Sequence, residues 1–321
     1  MTTPRKVRWL IAHQPVELFV RTAEAFRAEL NKTIPGQIDL EIVTVPEYLA
    51  QRGEPSPLST ILEHNSEDSG AAVNALFAAL NDDIQMSQTQ IVLVAHKDPA
   101  FYALDLPFMF EDHDHVSRVA EGPIGKELLD NLERVSDVKG LAFTYSGGYR
   151  VIGSDTMIAG LKDLADKTVV VSAPGARADT LESVGAEAKI VSPHIWGDYD
   201  RVPADADAIE TTYLRFPEGK YVLKTNHSMF MTTIMTNKNF WNSLTEEQQH
   251  AFEEAAKVTA SVERAWAVRD AEAYELNAVS NGVTITDLSE EDTTLLKHKA
   301  RYSYLQFGQQ YGDLIKRIRQ S

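Results

Sequence analysis

Hydrophobic positions along the first ninety residues change period several times. Val7 to Ala12 is a short apolar run that predicts a strand. From Glu17 to Asn31 the apolar residues fall at 18, 19, 22, 23, 26 and 30, the spacing of one helix face. Pro35-Gly36 marks a turn, after which Ile38, Leu40 and Ile42 alternate with Asp39 and Glu41 as a half-buried strand to Val45. Gln51 to Gly70 is rich in Pro, Ser, Glu and Asp and reads as a loop. Ala71 to Leu80 is helical, and Asp83 to Ser87 reads as the next strand.

Leu104 to Ser154 is the most informative stretch. An apolar patch with a proline (Leu106, Pro107, Phe108, Met109, Phe110) runs into an acidic helix start, and an amphipathic helix follows. A short strand then ends in Gly147-Gly148 and delivers Arg150. Glycines there let backbone approach a ligand closely. A guanidinium beside them offers a planar fork of donors to a carboxylate.

Further on, Lys167 to Val171 enters a strand that Ala173-Pro174-Gly175 ends, and a helix from Ala176 to Val184 leads to a strand around Ala188 to Val191. Asp205 to Thr212 is a short piece, and Met229 to Met235 reads as a strand returning to the first domain. Thr245 and Gln248 form a capping box at the head of a helix running to Ala278, which Asn281-Gly282 stops. Val283 to Thr286 is a strand, and Glu290 to Arg319 is helical. Alternating strands and helices imply an α/β architecture with largely parallel sheets. A helix of about thirty residues spans roughly 45–50 Å, longer than one small domain is wide, so two lobes braced by it are expected.

Composition narrows the function. The 321 residues carry a net charge of −16, which argues against nucleic acid or an anionic membrane surface as partner. A small anionic ligand would need local cations working against that field. The chain has no cysteine, which removes disulfides, thiolate catalysis and zinc–thiolate sites. No run approaches the ~20 apolar residues of a membrane span. The N-terminus has no signal-peptide core of its own, so the expected location is periplasmic if a signal has been removed, and cytoplasmic otherwise.

No P-loop, nucleophile elbow or dinucleotide fingerprint occurs. An enzyme on this chain would have to use His194, His227, Asp198 and Asp200, and no activated nucleophile accompanies them. His113 and His115 have metal-like spacing, but the preferred reading is that Asp112 or Asp114 caps a helix and the histidines are solvated. His227 reads as a packed residue at a lobe crossing. Arg150 is either a ligand clamp or a structural partner of Asp155 or Glu210. Trp196 and Tyr199 either wall a pocket or fill core.

Several strings, in order, resemble the substrate-binding proteins of tripartite ATP-independent periplasmic (TRAP) transporters. They are WLIAHQP with EIVTVPEYL, NDDIQMSQT, DLPFMFED with GPIGKELL, and KTNHSMFMTTIMTNKNFWNSLTEEQQ. The resemblance runs from Val7 to about Asp287. It implies a two-lobed periplasmic binding protein fold, two α/β domains with a hinge and a long bridging helix. The division expected is 1–146 with about 230–262, 147–229 with about 263–300, and a C-terminal helix over 301–321.

The implied function is capture of a small organic acid or related solute in the interdomain cleft and delivery to membrane permease subunits. Neither cofactor nor metal is implied, and a monomer is expected. The alternative is a binding protein serving a sensor or a cytoplasmic carrier role. Ligand contacts fall to His13, Gln14, Gln88, Arg150, His194, Trp196 and Thr211. The family's usual second arginine is replaced by Val170, removing a charge-assisted contact of about 1.5–3 kcal/mol. Arg215 is the candidate replacement cation, and an ester, amide, lactone or weakly charged solute is kept open beside the acid.

Overall fold

The computed structural model describes residues 3–13, 16–52, 69–80, 83–172, 175–190, 202–212 and 219–321. Its strands are β1 (Arg5–Ile11), β2 (Ile38–Thr44), β3 (Met86–Gln90), β4 (Val138–Ser154), β5 (Thr168–Val171), β6 (Glu187–Ile190), β7 (Ala208–Thr212), β8 (Tyr221–Lys224), β9 (Met229–Asn237) and β10 (Thr284–Asp287). Its helices are α1 (Val16–Thr33), α2 (Val45–Arg52), α3 (Ser69–Leu80), α4 (Ile91–Val94), α5 (His113–Glu121), α6 (Pro123–Val135), α7 (Ala176–Glu182), α8 (Lys238–Asn242), α9 (Glu246–Ser280), α10 (Glu290–Lys299) and α11 (Arg301–Arg319). Most of the loop read over Gln51 to Gly70 lies outside the described residues.

Two lobes share β4. The first sheet has the order β2-β1-β3-β9-β4, and the second continues β4-β7-β5-β6, with β8 and β10 joined to β4 through β8. Side-chain alternation along β1 builds the first lobe: Val7, Trp9 and Ile11 pack against α1 and α9 through Phe19, Phe26 and Phe252. Leu10 faces the opposite cluster with Tyr48, Phe101 and Phe143. Each such fully buried side chain contributes about 1.5–3 kcal/mol. In the second lobe Val169 and Val171 pack with Leu181, while Val170 faces Val151, Ile209 and Val222.

The sheets are mixed rather than largely parallel. β1–β2 and β5–β6 are parallel, but β4 runs antiparallel to β9, β7 and β8. Two strands that carry the chain between lobes must lie side by side in opposite directions, and period alone carries no direction. β4 also does not end at the glycine pair. It runs for 17 residues through both sheets, and its register against β9 shifts between Tyr145 and Tyr149. Gly147 (φ 88°) and Gly148 (φ 75°) hold left-handed backbone there, which only glycine adopts without strain. The Tyr145 N–H at the break donates to Glu263 of α9 at 2.8 Å.

Other departures are local. The strand read over Asp83 to Ser87 begins at Met86, because Asp83 is drawn into an ion pair with Arg8 (2.9 Å) and Gln85 into side-chain and backbone bonds to it. The C-terminal helix is two helices meeting at Ala300, with non-helical backbone at Tyr311. Asp112 does cap α5, accepting from the His115 N–H. The histidines beside it are not solvated: His115 is buried, with Nε2 2.7 Å from the Ile318 carbonyl, pinning α11 to the first lobe. His113 packs against Tyr145 and Tyr149.

The capping box at Thr245 and Gln248 is formed, and α9 extends about 52 Å at 1.5 Å per residue. Ala251, Ala255, Ala256, Ala260 and Ala267 are buried on its inner side. Small side chains there let the helix lie close against its neighbours.

Candidate functional site

Strand β3 carries four polar residues, Ser87, Gln88, Thr89 and Gln90, all buried. Burying so many polar groups is costly unless each finds a partner. Gln88 Nε2 donates to Thr144 Oγ1 (2.8 Å) on β4 and Thr232 Oγ1 (3.0 Å) on β9, and those two hydroxyls bond each other. Gln88 Oε1 is buried with no partner among the described residues. His13, just past β1, places Nε2 2.7 Å from Thr89 Oγ1 and its ring beside Phe19.

Two residues along β9 from Thr232, and therefore on the same strand face, lies Phe230. The Arg150 guanidinium sits over its ring at 4.6 Å. Arg150 is registered opposite Thr212, at the carboxyl end of β7. Parallel α/β sheets place ligands outside the carboxyl ends of their strands. Strand β9 thus joins the Gln88 group and the Arg150 group on one face.

Arg150 is one member of a buried charge network. Its Nη1 is 3.3 Å from Glu210 Oε2 on β7. Arg177, at the start of α7, donates from Nη1 to the same carboxylate and from Nε to Asp105 Oδ2 at 2.7 Å. His227 Nε2 lies 2.8 Å from Glu210 Oε1. Burial alone would raise the Glu210 pKa, but Arg177 and Arg150, with the His227 hydrogen bond, outweigh it and hold it down at about 2. An ionised carboxylate only accepts, so His227 Nε2 donates. The formal charges of Arg150, Arg177, Asp105 and Glu210 cancel.

Of the residues predicted for the ligand, His13, Gln88, Arg150 and Thr211 are described, and all four are buried. The structure joins Gln88 and Arg150 through β9 and attaches Arg150 to Glu210. Thr211 is registered opposite Val151, next to Arg150. Gln14, His194, Trp196 and Arg215, with Asp198, Tyr199 and Asp200, lie outside the described residues. Val170 contributes no polar atom and is packed among Val151, Ile209 and Val222.

Sequence reasoning missed Arg177 and Asp105. A signal existed for both: Asp105 is a lone acid inside the apolar run FYALDLPFMF, and Arg177 is the single cation of ARADTLE just past a strand end. A charge in such a setting needs a partner.

A two-lobed frame with shared strands and a polar, charge-bearing crossing is the architecture of proteins that close around a solute. The model of the family named bacterial extracellular solute-binding protein, family 7, matches residues 64–194 and 218–310, and the chain belongs to that family. A relative, the C4-dicarboxylate-binding protein DctB of Bacillus subtilis, is 22% identical over 253 residues, covering 77% of this chain and 72% of its own. The C4-dicarboxylate-binding periplasmic protein DctP of Rhodobacter capsulatus is 25% identical over 48% of this chain and 47% of its own.

Among solved structures, a TRAP periplasmic solute-binding protein from Xanthobacter autotrophicus with bound β-D-galacturonate matches with TM-score 0.80 at 20% identity, over 98% of this chain and 99% of that one. Another, from Desulfovibrio desulfuricans with bound sn-glycerol-3-phosphate, matches with TM-score 0.80 at 19% identity over 99% and 98%. These likenesses establish the shared fold.

Proposed function

We propose that this chain captures a small organic acid or a related solute in the periplasm and delivers it to the membrane permease subunits of a TRAP-type transporter. The observation that carries the reading is Arg150 seated over Phe230, with Gln88 on the same face of β9. The relatives support the class of solute: related structures hold a uronate, a glycerol phosphate, acetolactate or succinate. The lobes divide as 1–146 with about 230–262 and 147–229 with about 263–300, and residues 301–321 pack across them. Closure brings His13, Gln14, Gln88, Arg150, His194, Trp196, Thr211 and Arg215 around the solute.

The same geometry tempers the charge of that solute. A solute carboxylate must compete with Glu210 for Arg150, and the network is already neutral. This favours a singly charged acid, or its ester, amide or lactone, over a dicarboxylate. Thermal-shift screening against uronates, C4-dicarboxylates, monocarboxylates and their neutral analogues tests both parts. A bound solute at 100 times its Kd stabilises by about 2.7 kcal/mol. No response to any of these classes would sink the reading, and a response to dicarboxylates alone would reverse the preference.

A further inference from the structure

On the side of α9 that faces away from the lobes, positions 258, 262, 265, 269, 272, 276 and 279 are all exposed and follow one another in steps of four and three. They read Val, Val, Ala, Arg, Glu, Leu, Val. Val258 is 41% exposed, Val262 38%, Leu276 72% and Val279 56%. Four of the nine large apolar side chains exposed among the described residues therefore lie on one stripe. A repeat of 3.5 residues is the period of a helix seam, and among the described residues this side of the helix is exposed while Ala251, Ala255, Ala256, Ala260 and Ala267 are buried on the other.

We infer that α9 is the interface of a homodimer in which two copies of the helix pair antiparallel, in place of the monomer expected from sequence. The stripe is complementary to itself in one register. Antiparallel pairing that sets Arg269 against Glu272 of the second copy also sets Ala265 against Leu276 and Val262 against Val279. The two-fold axis repeats each layer, so two Arg–Glu contacts lie at the centre, small-against-large layers flank them, and valine layers close the ends.

Parallel pairing would instead face Arg269 with Arg269 and Glu272 with Glu272. Arg269 is available for the contact: its side chain is 64% exposed and its ion pair within the chain, with Asp270, is long at 3.4 Å. The seam from Val262 to Val279 is about 26 Å long. This inference stands independently of the solute reading.

Sedimentation or light scattering over a concentration series tests it on the whole chain. The 35.7 kDa protein is expected to reach twice that mass as concentration rises. Arg269→Glu puts four carboxylates at the centre and weakens dimerisation at least about tenfold, while Arg269→Glu with Glu272→Arg restores it. Because the chain has no cysteine, oxidation of the pair Ala265→Cys with Leu276→Cys yields a covalent dimer, and neither single substitution does. Residues 265 and 276 are about 16 Å apart along the helix, too far to bridge within one chain. Unchanged thermal melting shows that each variant is folded. A mass of one chain at every concentration, failure of the charge swap to restore dimers, or self-linking of Ala265→Cys alone would overturn the proposal.

Discussion

Arg150 and Glu210 meet across neighbouring strands at 3.3 Å, both side chains withdrawn from water. Neither is satisfied by the other alone. Glu210 also takes a guanidinium hydrogen from Arg177 and one from His227, and Arg177 reaches on to Asp105 in the segment that enters the first lobe. The candidate solute clamp is therefore wired to a structural network. A solute that draws Arg150 away must leave Glu210 to the remaining cation and histidine. Burying an ion pair adds little net stability, but deleting one partner strands the rest.

Glu210→Gln keeps the shape and removes the charge, leaving the two guanidiniums of the network with one carboxylate, Asp105, which only Arg177 contacts. A loss of about 3–5 kcal/mol in urea unfolding is expected. The pH dependence follows from the lowered pKa. The carboxyl binds its proton at about 2 when folded and near 4.5 when unfolded, so between these values the unfolded state holds more protons. Stability from this group is complete above about pH 4.5 and is lost as pH falls toward 2, on the order of 3 kcal/mol in all. The glutamine variant should lack this part of the acid limb. A loss below about 1 kcal/mol would show that the network is not coupled.

Glu263 gives the opposite sign. Burial pushes its pKa up to about 8 against the Tyr145 N–H and the Arg264 and Arg21 charges, with Asp270 adding to the rise. Between about pH 4.5 and 8 the folded state binds the extra proton, so stability falls as pH rises through that window and levels off above 8. Glu263→Gln still accepts from Tyr145 N and carries no charge to bury. Its melting temperature should exceed the parent's at pH 8.5 and differ little at pH 5. Parallel melting curves for the two proteins across this range would refute the assignment.

Gly148 tests the crossing. A Cβ placed there would meet only His113 Cε1 at 3.8 Å, an ordinary contact, so space is not the obstacle. Its φ of 75° is. Gly148→Ala should cost about 1–2 kcal/mol from backbone strain, read by thermal or urea unfolding. A neutral result would mean that the bulge relaxes.

Much of this arrangement was readable from the chain and some of it was not. Periodicity located β1, α1 and α9, and the Thr245 capping box marked the start of α9 to the residue. Strand direction was not readable, because a side-chain period of two is the same in parallel and antiparallel ladders. The pattern places strand β3 three residues early because four of its five buried residues, Ser-Gln-Thr-Gln, are polar and mimic a loop. Of the two structural partners that the sequence leaves open for Arg150, the structure pairs it with Glu210 rather than Asp155. Arg177 sits near a helix start, where a cation is usually solvated. Its burial depends on Asp105, seventy-two positions away, a relation that no local pattern contains.

Gln88 separates stability from solute binding. Its Nε2 bridges two threonines that also bond each other, so replacing it with an apolar side chain of similar length leaves both hydroxyls partnered. The substitution also removes a buried Oε1 that has no partner among the described residues, a group that is costly to keep dry. Gln88→Met should therefore change unfolding free energy by no more than about 1.5 kcal/mol in either direction. Solute-induced thermal stabilisation should nonetheless drop, because the amide meets Thr232 on the β9 face that also carries Phe230, over which Arg150 sits. Titration of the best solute from the screen against parent and variant checks this, with at least a tenfold weaker Kd expected, about 1.4 kcal/mol. Equal affinity would remove Gln88 from the site and leave its threonine bridge as a purely structural feature of the crossing strands.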